Sequence, residues 1–199
     1  MLRIGRDSSR RDNEPTMTHL IGLSGSLRRR SLNSGLLRAA ATEMPEGSLL
    51  EIGSIADFPL YNGDVEAEGI PAAVTALKGK VAAADGVLLV TPEYNNGIPG
   101  VFKNAIDWLS RPPADIARIF GGKPVTVIGA SPGGFGTILS QAAWLPVLRT
   151  LGADHWSGGR LMVSHADQAF DPDGNLVHDT VRDRLRAFLA GFVEHIAHA

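Results

Sequence analysis

A doubly wound α/β domain, with a five-stranded parallel sheet and helices on both faces, is the fold that this 199-residue sequence predicts. Three observations carry the prediction. From residue 18 onward, short apolar runs alternate with stretches at helical spacing. Two of the runs, GVLLVT (86–91) and KPVTVIGAS (123–131), are almost uninterruptedly apolar, as strands buried on both faces of a parallel sheet are. Polar, glycine- and serine-rich turns follow the strands. Parallel neighbours need crossover connections, and helices supply them with a right-handed sense.

The elements follow in order. HLIGLS (19–24) is short, apolar and bounded by Gly and Ser, a first strand; SGLLRAAATEM (34–44) spaces leucines and alanines helically and stops before Pro45. SLLEIGSI (48–55) reads as the second strand, and PAAVTALKGKVAAA (71–84), opened by a proline suited to a first helical turn, as the second helix. After the third strand, GVLLVT, comes the helix IPGVFKNAIDWLS (98–110), with Pro99 near its start. After the fourth, TILSQAAWLPVLRTLG (137–152) is a helix that Pro146 is expected to kink or unwind locally. GRLMVS (159–164) is the fifth strand and DTVRDRLRAFLAGFVEHIAHA (179–199) a long amphipathic final helix. Two strand orders stay open, the flavodoxin-like one and half of a dinucleotide-binding fold. In both, ligands gather beyond the carboxyl ends of the strands at the topological switch.

Residues 1–17 are polar and arginine-rich without apolar periodicity, and are expected to be a disordered N-terminal tail; residues 18–199 then form one domain. Asp7, Asp12 and Glu14 dilute the tail's charge, against a transit peptide. A net charge of -2 gives no basic surface for nucleic acid. No apolar run approaches the roughly 20 residues that span a bilayer, so no membrane is expected. The absence of cysteine excludes disulfides, thiolate catalysis and cysteine-ligated metals, and fits a cytoplasmic location.

Chemistry concentrates in three turns. SGSLRRRSLN (24–33) joins the first strand to the first helix, where unpaired N–H groups and the helix dipole favour a phosphate. Ser24, Ser26 and Ser31 add hydroxyls, Arg28 a forked charge, and Asn33 an amide that caps or donates. The plainer reading makes Ser31 and Asn33 helix caps and leaves the arginines solvated. Neither a Walker ending nor G-x-G-x-x-G is present. TPEYNNGIPG (91–100) offers Pro92, a flat Tyr94, paired amides at Asn95 and Asn96 and two glycines to a planar heterocycle. GASPGGFGT (129–137) allows close backbone approach, with Phe135 as a ring wall. Together the turns suit a mononucleotide carrying a flat ring system.

GSLRRRSLN, TPEYNNGIPGVFKNAIDW and SPGGFGT, in unbroken order from about Leu20 to Gly152, resemble the NAD(P)H-dependent FMN reductases, a flavodoxin-like group that includes quinone, chromate and azo-dye reductases. The resemblance implies a flavodoxin-like order and assigns the FMN phosphate to Ser26, Arg28, Ser31 and Asn33. Leu32 stands where members often carry an aromatic. Pro92, Glu93, Tyr94 and Asn95 would pack along the isoalloxazine ring, and Ser131, Gly133 and Gly134 near its other edge. NADPH or NADH would deliver hydride to flavin N5, and a small-molecule acceptor (quinone-like, azo, metal-oxyanion or flavin) would then take it in ping-pong fashion. No side chain need act as acid or base. The candidate donors are the backbone amides of Asn95, Asn96, Gly133 and Gly134. A homodimer or homotetramer is implied.

Other residues attract plainer readings. His155, His165 and His178 lack ligand spacing, and no metal is expected. Ser24 in GLSGS misses the nucleophile-elbow pattern, with Ser26 in place of its last glycine. Trp108 and Trp144 fit the core or a subunit interface. Asp57 and Asp64 flank FPLYNGD, a loop suited to the border of a neighbouring subunit's site or to plain solvation. The alternative to an enzyme is a flavodoxin-type electron carrier, but the small net charge builds no acidic docking face.

Overall fold

The computed structural model describes residues 17–199; the expected tail, apart from Met17, lies outside the described residues. Strand β1 (Thr18–Ser24) leads to helix α1 (Leu32–Thr42), β2 (Ser48–Gly53), α2 (Gly63–Glu68), α3 (Ala72–Ala83) and β3 (Gly86–Val90). Then come α4 (Gly100–Leu109), α5 (Ile116–Ile119), β4 (Pro124–Ala130), α6 (Ile138–Leu151), β5 (Asp154–His155), β6 (Met162–Val163) and α7 (Asp179–Ala197). All strand pairs are parallel, in the order β2-β1-β3-β4-β5, with β6 also on β4. This is the flavodoxin-like order. The chain moves outward from β1 to β2 and returns to β3 on the other side, so the switch lies between β1 and β3.

Alternation along the central strands sends successive side chains to opposite layers. Leu20, Leu88 and Ile128 pack with Leu36, Leu37, Phe188 and Phe192 of α1 and α7. Ile21, Leu89 and Val127 pack on the other face with Val81, Phe102, Trp144 and Leu148 of α3, α4 and α6. Trp108 and Trp144 are fully buried, each in an edge-to-face pair, with Tyr61 at 5.1 Å and Phe102 at 5.0 Å. Trp108 also donates to Pro59 O (2.8 Å), and Asn104 donates to the same carbonyl (2.9 Å) while accepting from Tyr61 N–H (2.8 Å). The loop after β2 is thereby tied to α4. No helix among the described residues is long and apolar enough to cross a membrane.

Local departures from expectation have local causes. Pro71 and Pro99 sit at the N-caps of α3 and α4, one residue before the first helical position. α6 runs unbroken through Pro146, whose missing N–H forgoes a single intrahelical bond. The short α2 is capped by the Asn62 side chain, which accepts from Asp64 N–H (2.9 Å). The fifth strand is divided: β5 pairs with Pro124 and Val125 at the start of β4, and β6 with Gly129 and Ala130 at its end. Between them Trp156 packs on Phe188 (5.0 Å) and Phe192 (5.5 Å) of α7. Gly158 and Gly159 pass so close over its indole that a Cβ on either would stand 2.6 or 2.9 Å from the ring. Covering the indole makes the chain arch away from β4.

The buried ammonium of Lys78 donates to Arg111 O and to Asp115 Oδ2, the latter at 2.5 Å. Arg118 and Lys78 hold the Asp115 carboxyl at about 2, below the usual carboxylate range. Asp115→Asn leaves the ammonium without its counter-charge and is expected to cost about 3 kcal/mol, read as a lower urea midpoint at pH 7. Because the folded carboxyl is the stronger acid, its contribution is present above the ordinary carboxylate pKa and fades as pH falls toward 2. The gap between wild type and variant is expected to close over that window.

Candidate functional site

Three loops leave the carboxyl ends of β1, β3 and β4 and share one rim around the β1/β3 switch. The loop after β1 is pinned first. Gly25 N–H donates to Val90 O (2.9 Å), and a Cβ on Gly25 would lie 2.3 Å from Phe102 and 3.0 Å from Pro92. Only glycine admits that approach. Ser24 Oγ meets Ser34 Oγ (3.0 Å) and accepts from Ser26 N–H (3.4 Å); Ser26 Oγ accepts from Arg28 N–H (3.4 Å). Ser31 is the N-cap of α1, accepting from Ser34 N–H (3.1 Å). The main-chain N–H groups of Leu32 and Asn33, at the first two helical positions, have no acceptor among the described residues. Arg28, Arg29 and Arg30 are exposed and unpaired among them, and no acidic residue lies between Ile21 and Thr42.

Asn33 does not cap the helix. Its buried amide donates to Ala130 O (2.8 Å) and accepts from Ala130 N–H (2.9 Å), bolting the start of α1 to the end of β4. Its side chain is therefore an anchor between α1 and β4.

The loop after β3 is rigid by a different device. Tyr94 and Gly97 exchange both main-chain hydrogen bonds (3.2 and 3.1 Å) across Asn95 (φ 51) and Asn96 (φ 61), a tight turn with two left-handed residues, a conformation asparagine tolerates. The N–H groups of Asn95 and Asn96 point out of this turn without acceptors among the described residues. Pro92 is buried beneath it and Tyr94 is exposed. Glu93 faces a different task from the one expected: Oε2 accepts from Leu139 N–H (2.8 Å) and Ser140 N–H (3.0 Å), capping α6. Thr137, the N-cap by position, makes no side-chain cap bond there. Thr91 Oγ1 meets Ser140 Oγ (2.8 Å), a second tie between the same elements.

In the loop after β4, Ser131 N–H donates to Val163 O (2.9 Å) and Ser131 Oγ accepts from Gly133 N–H (3.1 Å), so Gly133 is not a free donor. Gly134 N–H has no acceptor among the described residues. Phe135 is 84% exposed, an unusual setting for a large aromatic. His165, which the sequence offers only as a histidine without ligand spacing, also reaches this loop. Its N–H donates to Gly133 O (3.2 Å), its φ is 47, and its imidazole lies under 4 Å from the position of a Cβ on Gly134. A histidine after a weak strand carries no pattern that would have revealed this.

The rim thus has a cationic end, built from two unpaired helix N–H groups, hydroxyls and arginines, and a neutral end with unpaired main-chain donors beside exposed aromatics. The first suits a phosphate and the second a flat ring with polar edges. The residues present fit a phosphorylated heterocycle.

Comparison with known proteins agrees. Residues 18–168 match the family of NADPH-dependent FMN reductases. An NAD(P)H-dependent FMN reductase of Pseudomonas aeruginosa is 42% identical over 167 residues, covering 84% of this chain and 89% of the relative. A 2-hydroxy-1,4-benzoquinone reductase of a Burkholderia species is 38% identical over 165 residues, with coverage of 83% and 88%. Among solved structures, a flavoenzyme NAD(P)H:(acceptor) oxidoreductase of Paracoccus denitrificans superposes with a TM-score of 0.82 at 34% identity, covering 91% of this chain and 98% of that one.

Asn33→Ala would leave the buried Ala130 N–H and C=O unsatisfied. It is expected to destabilise the protein by about 2–4 kcal/mol, measured by chemical denaturation, and Asn33→Asp, which sets a buried carboxylate oxygen against Ala130 O, is expected to lose at least as much.

Proposed function

Because this chain belongs to the NADPH-dependent FMN reductase family and is an FMN-dependent oxidoreductase that uses NAD(P)H, we propose that it reduces small quinone-type acceptors over an open rim. The single observation that carries this reading is the charge division of the site. The loops after β3 and β4 carry one acidic side chain, Glu93, and α6 occupies it. A flat, uncharged acceptor therefore meets no carboxylate there, and exposed Tyr94 and Phe135 offer it apolar contact. The 2-hydroxy-1,4-benzoquinone reductase among the relatives supports the same class.

FMN, when bound, supplies a ring that takes hydride from NAD(P)H and passes it on. The chain's contribution is binding and orientation. Arg28, the hydroxyls of Ser26 and Ser31 and the N–H groups of Leu32 and Asn33 would hold the phosphate, with Ser24 shaping the loop. Pro92 and Tyr94 would bound the ring, and the N–H groups of Asn95, Asn96 and Gly134 would donate to its polar edges. Ser131 and Gly133 would set the height of the third loop. Glu93 and the Asn33 amide act at one remove, fixing the loops to α6 and β4. No proton-transfer side chain is assigned. The reading includes a homodimer or homotetramer in the cytoplasm.

The purified protein is expected to be yellow and to oxidise NADPH or NADH when benzoquinone is supplied, followed by absorbance. A colourless protein that takes up no FMN on titration would defeat the proposal. Arg28→Ala is expected to weaken FMN binding by about tenfold or more with an unchanged circular dichroism spectrum.

A further inference from the structure

Between β5 and β6 the edge of the sheet lacks one rung. Along β4 the odd-numbered residues turn their main-chain groups to that side: Val125 O accepts from Trp156 N–H (3.0 Å), and Gly129 N–H donates to Leu161 O (3.2 Å). Val127 lies between them, and by the same alternation its N–H and C=O open into the space left by the arching segment. Neither group has a partner there among the described residues. Val127 is only 6% exposed, and buried main-chain groups are nearly always paired.

The space is a cavity of about 280 Å³, near the lower end of the range for ligand pockets. Ile138, Ala142 and Leu145 of α6 form an apolar wall, and His155 and Arg160 also line it. Among the described residues no carboxylate does. Arg160 makes no ion pair among the described residues, and burial pushes the His155 imidazole below its usual range.

We infer that this gap binds the adenine base of an adenine nucleotide, with Arg160 meeting its phosphate. One extended residue presents an N–H and a C=O side by side, the complement of a ring nitrogen acceptor beside an amino donor. The α6 wall suits a ring face, and an arginine with no competing carboxylate suits a phosphate. A polypeptide strand does not fit, because the bonds at Val125 and Gly129 close the gap on either side of a single rung. The nucleotide has two sources, a free adenine nucleotide or the adenosine end of NAD(P)H; the second rests on the function proposed above.

The test titrates AMP onto the full chain as purified, by calorimetry. Saturable binding is expected, with adenosine about tenfold weaker and ribose 5-phosphate inert. Ala142→Phe, on the exposed wall, is expected to abolish AMP binding while the flavin spectrum and circular dichroism stay unchanged. Arg160→Ala is expected to weaken AMP about tenfold and leave adenosine unaffected. A KM for NADPH raised in both variants identifies the dinucleotide as the source, and an unchanged KM with AMP still bound by wild type identifies the free nucleotide. Failure of AMP to bind, or equal binding by Ala142→Phe, overturns the inference. That result is independent of the flavin spectrum, which separately tests the proposed function.

Discussion

A single buried amide, that of Asn33, closes on both main-chain groups of Ala130 and joins the beginning of α1 to the end of β4 across the sheet. Parallel order brings the ends of β1, β3 and β4 to one rim, but it does not set the loops at matching heights. The Asn33 bond does so for the first and third, and Glu93, capping α6, does so for the second and third. Gly25, pressed between Phe102 and Pro92, links the first and second. Each loop is thus braced against another, and the free N–H groups that remain are presented by a backbone with little room to shift. Preorganisation of that kind lowers the entropic cost of holding a ligand.

The braces explain why the polar residues of the rim divide into two kinds. A side chain that braces a loop spends its polar atoms on main-chain partners, as the buried Asn33 and the half-buried Glu93 do, because an unsatisfied amide in the core costs more than the bond returns. A group that meets a ligand must keep a donor unpaired. In this rim the donors without acceptors among the described residues are mostly main-chain: Leu32 and Asn33 at the helix start, Asn95 and Asn96 in the left-handed turn, and Gly134. Site chemistry carried by the backbone depends on conformation more than on residue identity. Turn-forming residues therefore mark the site more clearly than reactive ones.

At the far edge the sheet trades regularity for a packed indole. Trp156 fills the layer between β4 and α7, and the glycines that cross it cannot also lie in the ladder. The result is a main-chain residue, Val127, without an edge partner among the described residues. The half-buried indole packs on Phe188 and Phe192 at the expense of that rung.

Much of the fold was legible in the sequence. Apolar runs such as GVLLVT, helical spacing and the punctuation of Pro and Gly depend only on neighbours in the chain, so layers, strand count and the three loops could be read directly. The motif resemblance named the family that the comparison then matched. What the chain could not tell was which of two roles a polar residue takes. Asn33 and Glu93 look like ligand groups in their own loops, and only partners 97 and 46 residues away, Ala130 and Leu139, reveal that they also brace the loops. The split of the fifth strand was hidden for the same reason, as it depends on where Trp156 meets α7. Local pattern determined which elements form, because φ and ψ preferences and burial periodicity are local. Hydrogen-bond pairing between distant groups was decided by the tertiary structure alone, because a donor's partner is whatever the packed chain brings within 3 Å of it.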